Sequence, residues 1–271
     1  MFDKWFPPKK MVLPNGKIVL EKRSRLPLTL LTLAAVTALS VNLTGFSLHV
    51  LFTRIRQFFI ILGEMIPPKW SYTPQLWGAL LDTLQMSVLG SMIGALLALP
   101  FALLASFNVI RNKAVVTIFK VMLSLLRTLP TLVTALIATF VFGLGPTAGV
   151  VAILLFTLSY VGKLLYEQIE NVDMGSFEAM ESIGMTRVQA FRYAIFPEVL
   201  PRYLSTTLFC FEGNVRYAAI LGYVGAGGIG LLINENLGWR DYPRVGMIIL
   251  SLGVTVYVIE TISEHFRKKL N

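Results

Sequence analysis

Six apolar runs are long enough to cross a bilayer: Leu26 to about Leu48, then stretches near residues 77–105, 115–142, 146–165, 204–222 and 244–262. The hydrocarbon core takes a helix of about 20 residues. Lipid offers the backbone no hydrogen-bond partner, so each run is expected to be helical. Composition agrees: 55% of the 271 residues are hydrophobic and 14% charged, against about 25% charged in soluble domains. A disordered chain is excluded, and an ordinary cytosolic enzyme fits this composition poorly. The expected fold is an all-α membrane protein with six transmembrane helices. Residues 1–25 form a basic tail and residues 26–271 a transmembrane domain, interrupted by one substantial loop at about 166–203.

The charges orient these spans. Lys4, Lys9, Lys10, Lys17, Lys22, Arg23 and Arg25 outnumber Asp3 and Glu21 in the tail. Arg111 and Lys113, then Arg187, Arg192 and Arg202, then Arg267, Lys268 and Lys269 follow in alternate loops and at the C-terminus. With six spans all of these fall on the cytoplasmic side, as the positive-inside rule requires. Both termini are therefore expected in the cytoplasm. Arg54 and Arg56 are exceptions on the outer side. They lie in a mixed stretch, residues 49–75, broken by Pro67, Pro68 and Pro74. It reads as an amphipathic interfacial segment with Trp70, Tyr72 and Trp77 at headgroup depth. The net charge of +9 fits cytoplasmic loops, and no nucleic-acid partner is expected. A cleaved signal peptide fits poorly, because the first apolar run exceeds the usual h-region of about 7–15 residues and no small-x-small site ends it.

Chemistry-bearing patterns are few. No Walker A sequence is present, so the chain is not expected to hydrolyse ATP. There is no Gly-x-Ser-x-Gly elbow or His-Glu-x-x-His. His49 and His265 lie far apart, and Cys210 has no second cysteine. No catalytic residue and no metal site is expected, and Cys210 reads as a small apolar residue. Gly225-Ala-Gly227-Gly228-Ile-Gly230 matches Gly-x-Gly-x-x-Gly, but a membrane helix precedes it and residue 250 is leucine. A dinucleotide site needs a preceding strand and an acid about 20 residues on, so a glycine-rich helix break is the better reading. Gly90, Gly94 and Ala98 form a small-residue stripe suited to close packing, within the subunit or against a second copy.

The loop carries two helix signatures. Ser176 can cap a helix whose apolar face holds Phe177, Met180 and Ile183, with Glu178 in its first turn. Gly184 stops it. Thr186-Arg-Val-Gln189 is a capping-box pattern for a second helix, with Val188, Phe191 and Ile195 on its apolar face. Pro197 is expected to end or kink that helix. Three ionisable residues fall inside spans. Glu212 and Arg216, four apart, read as a structural ion pair, or as a gate or basic lining for an anionic cargo. Arg127 has no acid nearby on its helix and is a candidate pathway cation. Pro130 beside it frees a backbone carbonyl and can kink the third span.

The loop resembles the signature of membrane subunits of bacterial ATP-binding-cassette (ABC) importers: Glu-Ala-Ala, three residues, Gly, nine residues, Ile, any residue, Leu, Pro. Here Glu178 and Ala179 match, Met180 replaces the second alanine, and Gly184 and Pro197 keep the spacing. Ala194 and Phe196 stand at the isoleucine and leucine positions. The resemblance implies a type I permease fold whose cytoplasmic coupling helices dock on an ATPase through Phe177, Glu178, Ala179, Met180, Ile183, Gly184 and Pro197. It extends over roughly residues 76–262. Arg127-Thr-Leu-Pro130-Thr-Leu-Val, Gly143-Leu-Gly-Pro146-Thr-Ala-Gly149-Val, Gly162-Lys163-Leu, Glu167-x-Ile-Glu170 and Phe211-Glu-Gly-Asn-Val-Arg216 through Gly230 are similar to the phosphonate-transporter permeases. The implied function is uptake of phosphonate or a related phosphorus oxyanion, with Arg127, Glu212 and Arg216 at the pathway or gate. Another small anion, such as phosphate, phosphite or organosulfonate, is the main alternative. A stand-alone secondary transporter or a membrane enzyme would need coupling or catalytic residues that are scarce here. The implied partners are a second copy of the chain, an ABC ATPase dimer that binds the ATP and Mg, an extracytoplasmic substrate-binding protein, and lipid.

Overall fold

The computed structural model describes residues 9–12, 16–21 and 26–270. The chain divides into two compact units at Ile60/Ile61. In the first, two short strands, β1 (Lys9–Val12) and β2 (Ile18–Glu21), pair antiparallel with Lys9 opposite Glu21. The hairpin was not visible as an expectation in the basic tail. Asp3, Lys4, Lys22, Arg23 and Arg25 lie outside the described residues. Helix α1 (Leu26–Thr44) is apolar on all sides and buries no residue, as suits a helix surrounded by lipid. Helix α2 (Leu48–Glu64) follows, and the division between units falls within it.

The second unit is built on α3 (Thr73–Ala105) and α6 (Pro146–Glu170). Gly90, Gly94 and Ala98 of α3 face α6. A Cβ on Gly90 would lie 2.7 Å from the Ile153 side chain, and one on Gly94 would lie 2.7 Å from the Leu154 carbonyl. The small-residue stripe thus packs within the subunit. Tyr72, expected at headgroup depth, is buried instead. Its hydroxyl accepts a hydrogen bond from Asn236 Nδ2 at 3.2 Å, so its polar end is satisfied inside the protein. Trp70 and Trp77 are exposed.

Two expected spans are broken. The run at 115–142 forms α4 (Lys113–Thr128) and α5 (Thr131–Phe142), bent by 91°. Pro130 explains the break. It lacks an N–H and forces the preceding residue out of helical backbone. Leu129 accordingly has ψ 121, and the Pro130 carbonyl starts α5 by accepting from Val133 N at 2.9 Å. The run near 204–222 is longer than expected. After α7 (Gly175–Ser182) and a single turn α8 (Arg187–Ala190), a π-helical turn over Phe191–Ile195 leads into α9 (Phe196–Leu221). Helix α9 is bent by 49° from α10 (Ile229–Gly238) through the glycine-rich turn. Helix α11 (Tyr242–Leu270) completes the unit. Among the described residues, four helices are long and apolar enough to span alone, and up to six spans result if each bent pair is one.

The glycine turn is a close-packed corner. Gly225, Gly227 and Gly228 have φ of 84°, 80° and 72°, a region that favours glycine. The N-terminus of α10 is already occupied: Ile229 N donates to Thr83 Oγ1 at 2.8 Å. Gly225 O accepts from Gly145 N at 3.0 Å. A Cβ on Gly230 would sit 1.9 Å from the Ala219 carbonyl oxygen. Gly230→Ala is therefore expected to destabilise the protein by about 1–3 kcal/mol, because the clash is with backbone. Gly253→Ala in α11, where nothing lies within 4 Å, is expected to be neutral. Thermal melting of both variants in detergent checks this.

Candidate coupling segment and charged cleft

Helix α7 begins earlier than its sequence signature suggests. Gly175 N donates to Asp173 Oδ1 at 3.0 Å, and Met174 is the capping position. No side chain caps the helix from the capping position itself; Asp173, one residue before it, satisfies the first helical N–H, and Ser176, expected as the cap, lies inside the helix. Glu178 sits in the first turn, as expected. The helix ends in a Schellman motif: Met185 N donates to Met180 O at 3.2 Å, and Gly184 N to Glu181 O at 3.0 Å. This motif requires left-handed backbone at the residue after the cap, and Gly184 has φ 92°. The capping box then forms as expected. Gln189 N donates to Thr186 Oγ1, and Thr186 N donates to Gln189 Oε1 at 3.0 Å. Pro197 does not end this second helix. The helical run continues from Arg187 into α9, and the π-helical turn at Phe191–Ile195, directly before the proline, is the distortion that accommodates its missing N–H.

The apolar positions divide between two faces. Phe177 is 2% exposed and packs with Ile195, Val199, Leu165 and Ile169. It anchors α7 to the spans and is not presented outward. Met180 packs partly against the same core. Ile183 and Val188 are 73% and 78% exposed. Glu178, Ala179 and Gly184 are exposed as well.

Long-range polar contacts fasten this segment. Arg187 Nε donates to Glu181 Oε1 at 3.0 Å, and its Nη1 to Val109 O at 3.1 Å. Glu170, ending α6, accepts from Phe107 N at 3.0 Å and pairs with Lys120 at 2.7 Å. Asn108 Nδ2 donates to Glu170 O at 3.1 Å. The connection between α3 and α4 is thereby tied to both α6 and α8. Apart from Glu181 and Arg187, which are six residues apart, these partners are 50 to 78 residues apart, so no local pattern discloses them. The quoted Glu167-x-Ile-Glu170 motif contains one of them.

Deeper in the unit, Asn214 joins three helices. Its Nδ2 donates to Ser91 Oγ at 2.8 Å and Thr157 Oγ1 at 2.9 Å, and Ser87 Oγ donates to Asn214 O at 3.4 Å. This polar node of α3, α6 and α9 was also missed. Cys210 is buried beside it.

One face of α9 (Phe209, Cys210, Gly213, Arg216, Tyr217, Ile220) and Phe156 and Tyr160 of α6 enclose a cleft of about 420 Å³. The Arg216 side chain is half exposed there, while Glu212 is only 5% exposed. Arg216 Nη2 donates to Glu212 Oε1, so the expected pair is present. A third member joins it: Arg267 Nη2 of α11 donates to Glu212 Oε2 at 3.2 Å. Arg267 was expected in the cytoplasmic basic cluster, and its reach to Glu212 was not foreseen. Arg127 lies over the ring of Tyr160, 5.8 Å from its centroid. Of the three, Arg216 alone lines the cleft; Glu212 is buried behind it, and Arg127 is linked to it only through the Tyr160 ring.

Phe177→Ala is expected to cost about 3–5 kcal/mol, the price of emptying a buried aromatic site. Ile183→Ala, at an exposed position, is expected to change stability by less than about 0.5 kcal/mol. Hydrogen exchange over residues 175–190, combined with thermal melting, checks both: fast exchange is expected in the first variant alone.

The comparisons with known proteins agree with this architecture. Residues 90–271 match the family described as binding-protein-dependent transport system inner membrane component. The phosphite transport system permease protein PtxC of Stutzerimonas stutzeri is 33% identical over 208 residues, which cover 77% of this chain and 76% of that protein. The phosphate-import permease protein PhnE of Mycolicibacterium smegmatis is 31% identical over 221 residues, 81% of this chain. The alignment spans only 42% of that longer protein. Among solved structures, the inward-facing MetNI methionine ABC transporter matches with a TM-score of 0.67 at 20% identity, covering 75% of this chain and 99% of the matched one. An amino acid ABC transporter with histidines matches with a TM-score of 0.62 at 25% identity, covering 73% and 95%. With its spans and a family match over residues 90–271, this chain belongs to the binding-protein-dependent inner membrane components, the membrane-spanning permease subunits of ABC importers.

Proposed function

We propose that this permease carries phosphite, phosphonate or a close phosphorus oxyanion into the cytoplasm. The observation that carries this reading is the charged cleft. Arg216 faces it and Arg127 stands at its Tyr160 wall, in a chain whose relatives include a phosphite permease. Charges within spans cost about 2.5–3.5 kcal/mol each on insertion scales and mark pathways by default. Phosphate is the second reading, favoured by the printed name of the Mycolicibacterium relative.

The working unit would be a homodimer with two ATPase subunits, which bind the ATP and Mg, and an extracytoplasmic binding protein. Both termini and residues 166–203 would lie in the cytoplasm. The coupling surface would be the outward part of the segment, with Ile183 and Val188 as apolar contacts and Glu178, Ala179 and Gly184 alongside. A short capped helix with an apolar face suits a groove on a partner. Phe177, Met180 and Pro197 would act from behind it, by holding α7 and the start of α9 on the core. ATP-driven closure of the partners would move this segment, and with it the spans, between inward-open and outward-open forms. The chain itself would do no covalent chemistry.

The test is uptake of radiolabelled phosphite by the complete assembly in vesicles. ATP-dependent uptake is expected, and Arg216→Gln and Arg127→Gln are each expected to slow it about tenfold per assembled complex. An active assembly that takes up neither phosphite, phosphonate nor phosphate would contradict the proposal.

A further inference from the structure

Glu212 presents a problem for the charged cleft. A carboxylate bonded to Arg216 neutralises the cation that faces the cleft, and a neutralised guanidinium attracts an anion weakly. The structure contains a second cation on the same carboxylate. Arg267 arrives from α11 and donates to Glu212 Oε2 at 3.2 Å, while Arg216 holds Oε1. The two arginines approach from different sides. Arg216 lines the cleft with its side chain 51% exposed, whereas Arg267 is mostly covered and is not part of the lining. The Arg267 guanidinium also lies 5.4 Å from the centroid of Phe209, a wall residue. Its Nε is buried without a hydrogen-bond partner among the described residues, so Glu212 is the only carboxylate it engages there. The acid one turn earlier in α11, Glu264, pairs with Lys268 at 2.8 Å and feels Arg267 only through its charge, while the direct contact of Arg267 is with Glu212.

The charge count follows. One buried carboxylate meets two guanidiniums, leaving one positive charge in excess, and only Arg216 can present it to the cleft. Arg127, with no ion-pair partner among the described residues, lies over the ring of the wall residue Tyr160 and is not itself part of the lining. One excess charge on an otherwise aromatic and apolar wall suits a small anion.

We propose that Arg267 is a positioning residue for transport: by neutralising Glu212 it leaves the charge of Arg216 available to an anionic cargo. This inference rests on the reading of the cleft as an anion pathway. Removing Arg267 would let Glu212 capture Arg216 fully, leaving a cleft with one charge fewer. Removing the carboxylate as well would release Arg216 again.

The experiment compares ATP-dependent phosphite uptake by the complete assembly, per assembled complex, in wild type, Arg267→Gln and the double variant Glu212→Gln/Arg267→Gln. Arg267→Gln is expected to lower the maximal rate about tenfold. The half-saturating phosphite concentration is expected to stay near wild type, because the binding protein collects the cargo. The double variant is expected to recover to within about threefold of wild type, as coupled charges predict. If the double variant is as slow as Arg267→Gln or slower, Arg267 is only a brace between α9 and α11, and the proposal is overturned. Failure of the cargo reading looks different: the wild-type assembly itself would then take up no phosphorus oxyanion.

Discussion

Close approach of α3 and α6 is the contact on which the second unit depends. In lipid, apolar side chains gain little by leaving the solvent, so helices associate through packing and hydrogen bonds. Gly90 and Gly94 bring the two backbones together, with Ile153, Leu154 and Thr157 occupying the space their side chains would fill. Asn214 then adds α9 by donating to Ser91 and Thr157. Tyr203 adds a further bond, donating to Ala95 O at 2.9 Å. These contacts fix α9, and both the loop before it and the cleft beside it inherit that position.

From that frame the chain serves two ends. On one side, Phe177 and Arg187 attach the short helices to the core, leaving Ile183 and Val188 outward. On the other, the same α9 turns Arg216 toward the cleft and Glu212 toward α11. One rigid helix therefore connects the surface proposed for the ATPase with the charges proposed for the cargo. Movement of the loop need not be relayed through flexible segments to reach the cleft.

Much of this was legible because it is local. Spans follow from run length, and the Gly184 stop and Thr186 capping box from short patterns whose hydrogen bonds close within a few residues. The Glu212–Arg216 pair follows from helical spacing. What was hidden depends on tertiary neighbours. Periodicity placed Phe177 and Ile183 on one apolar face, but the core behind α7 takes Phe177 and leaves Ile183 out. Pro130 signalled a kink, yet a 91° bend depends on what packs around α5. Pro197 signalled an end or a kink, and sequence alone does not say that the helix runs on through a π-helical turn just before it. Arg267 belonged to a basic C-terminal cluster by sequence, and only the packing of α11 on α9 carries it across 55 residues to Glu212.

The account's central claim is that the outward residues of the coupling segment transmit between the core and an ATPase. The most direct measurement is ATP hydrolysis by the complete assembly in lipid, with and without phosphite-loaded binding protein, in wild type and in Ile183→Asp/Val188→Asp. Both positions are exposed, so the permease is expected to fold and melt normally. The account predicts that loaded binding protein stimulates hydrolysis in wild type, and that the variant loses either this stimulation or the ATPase itself. Undiminished stimulation in the folded variant would contradict it.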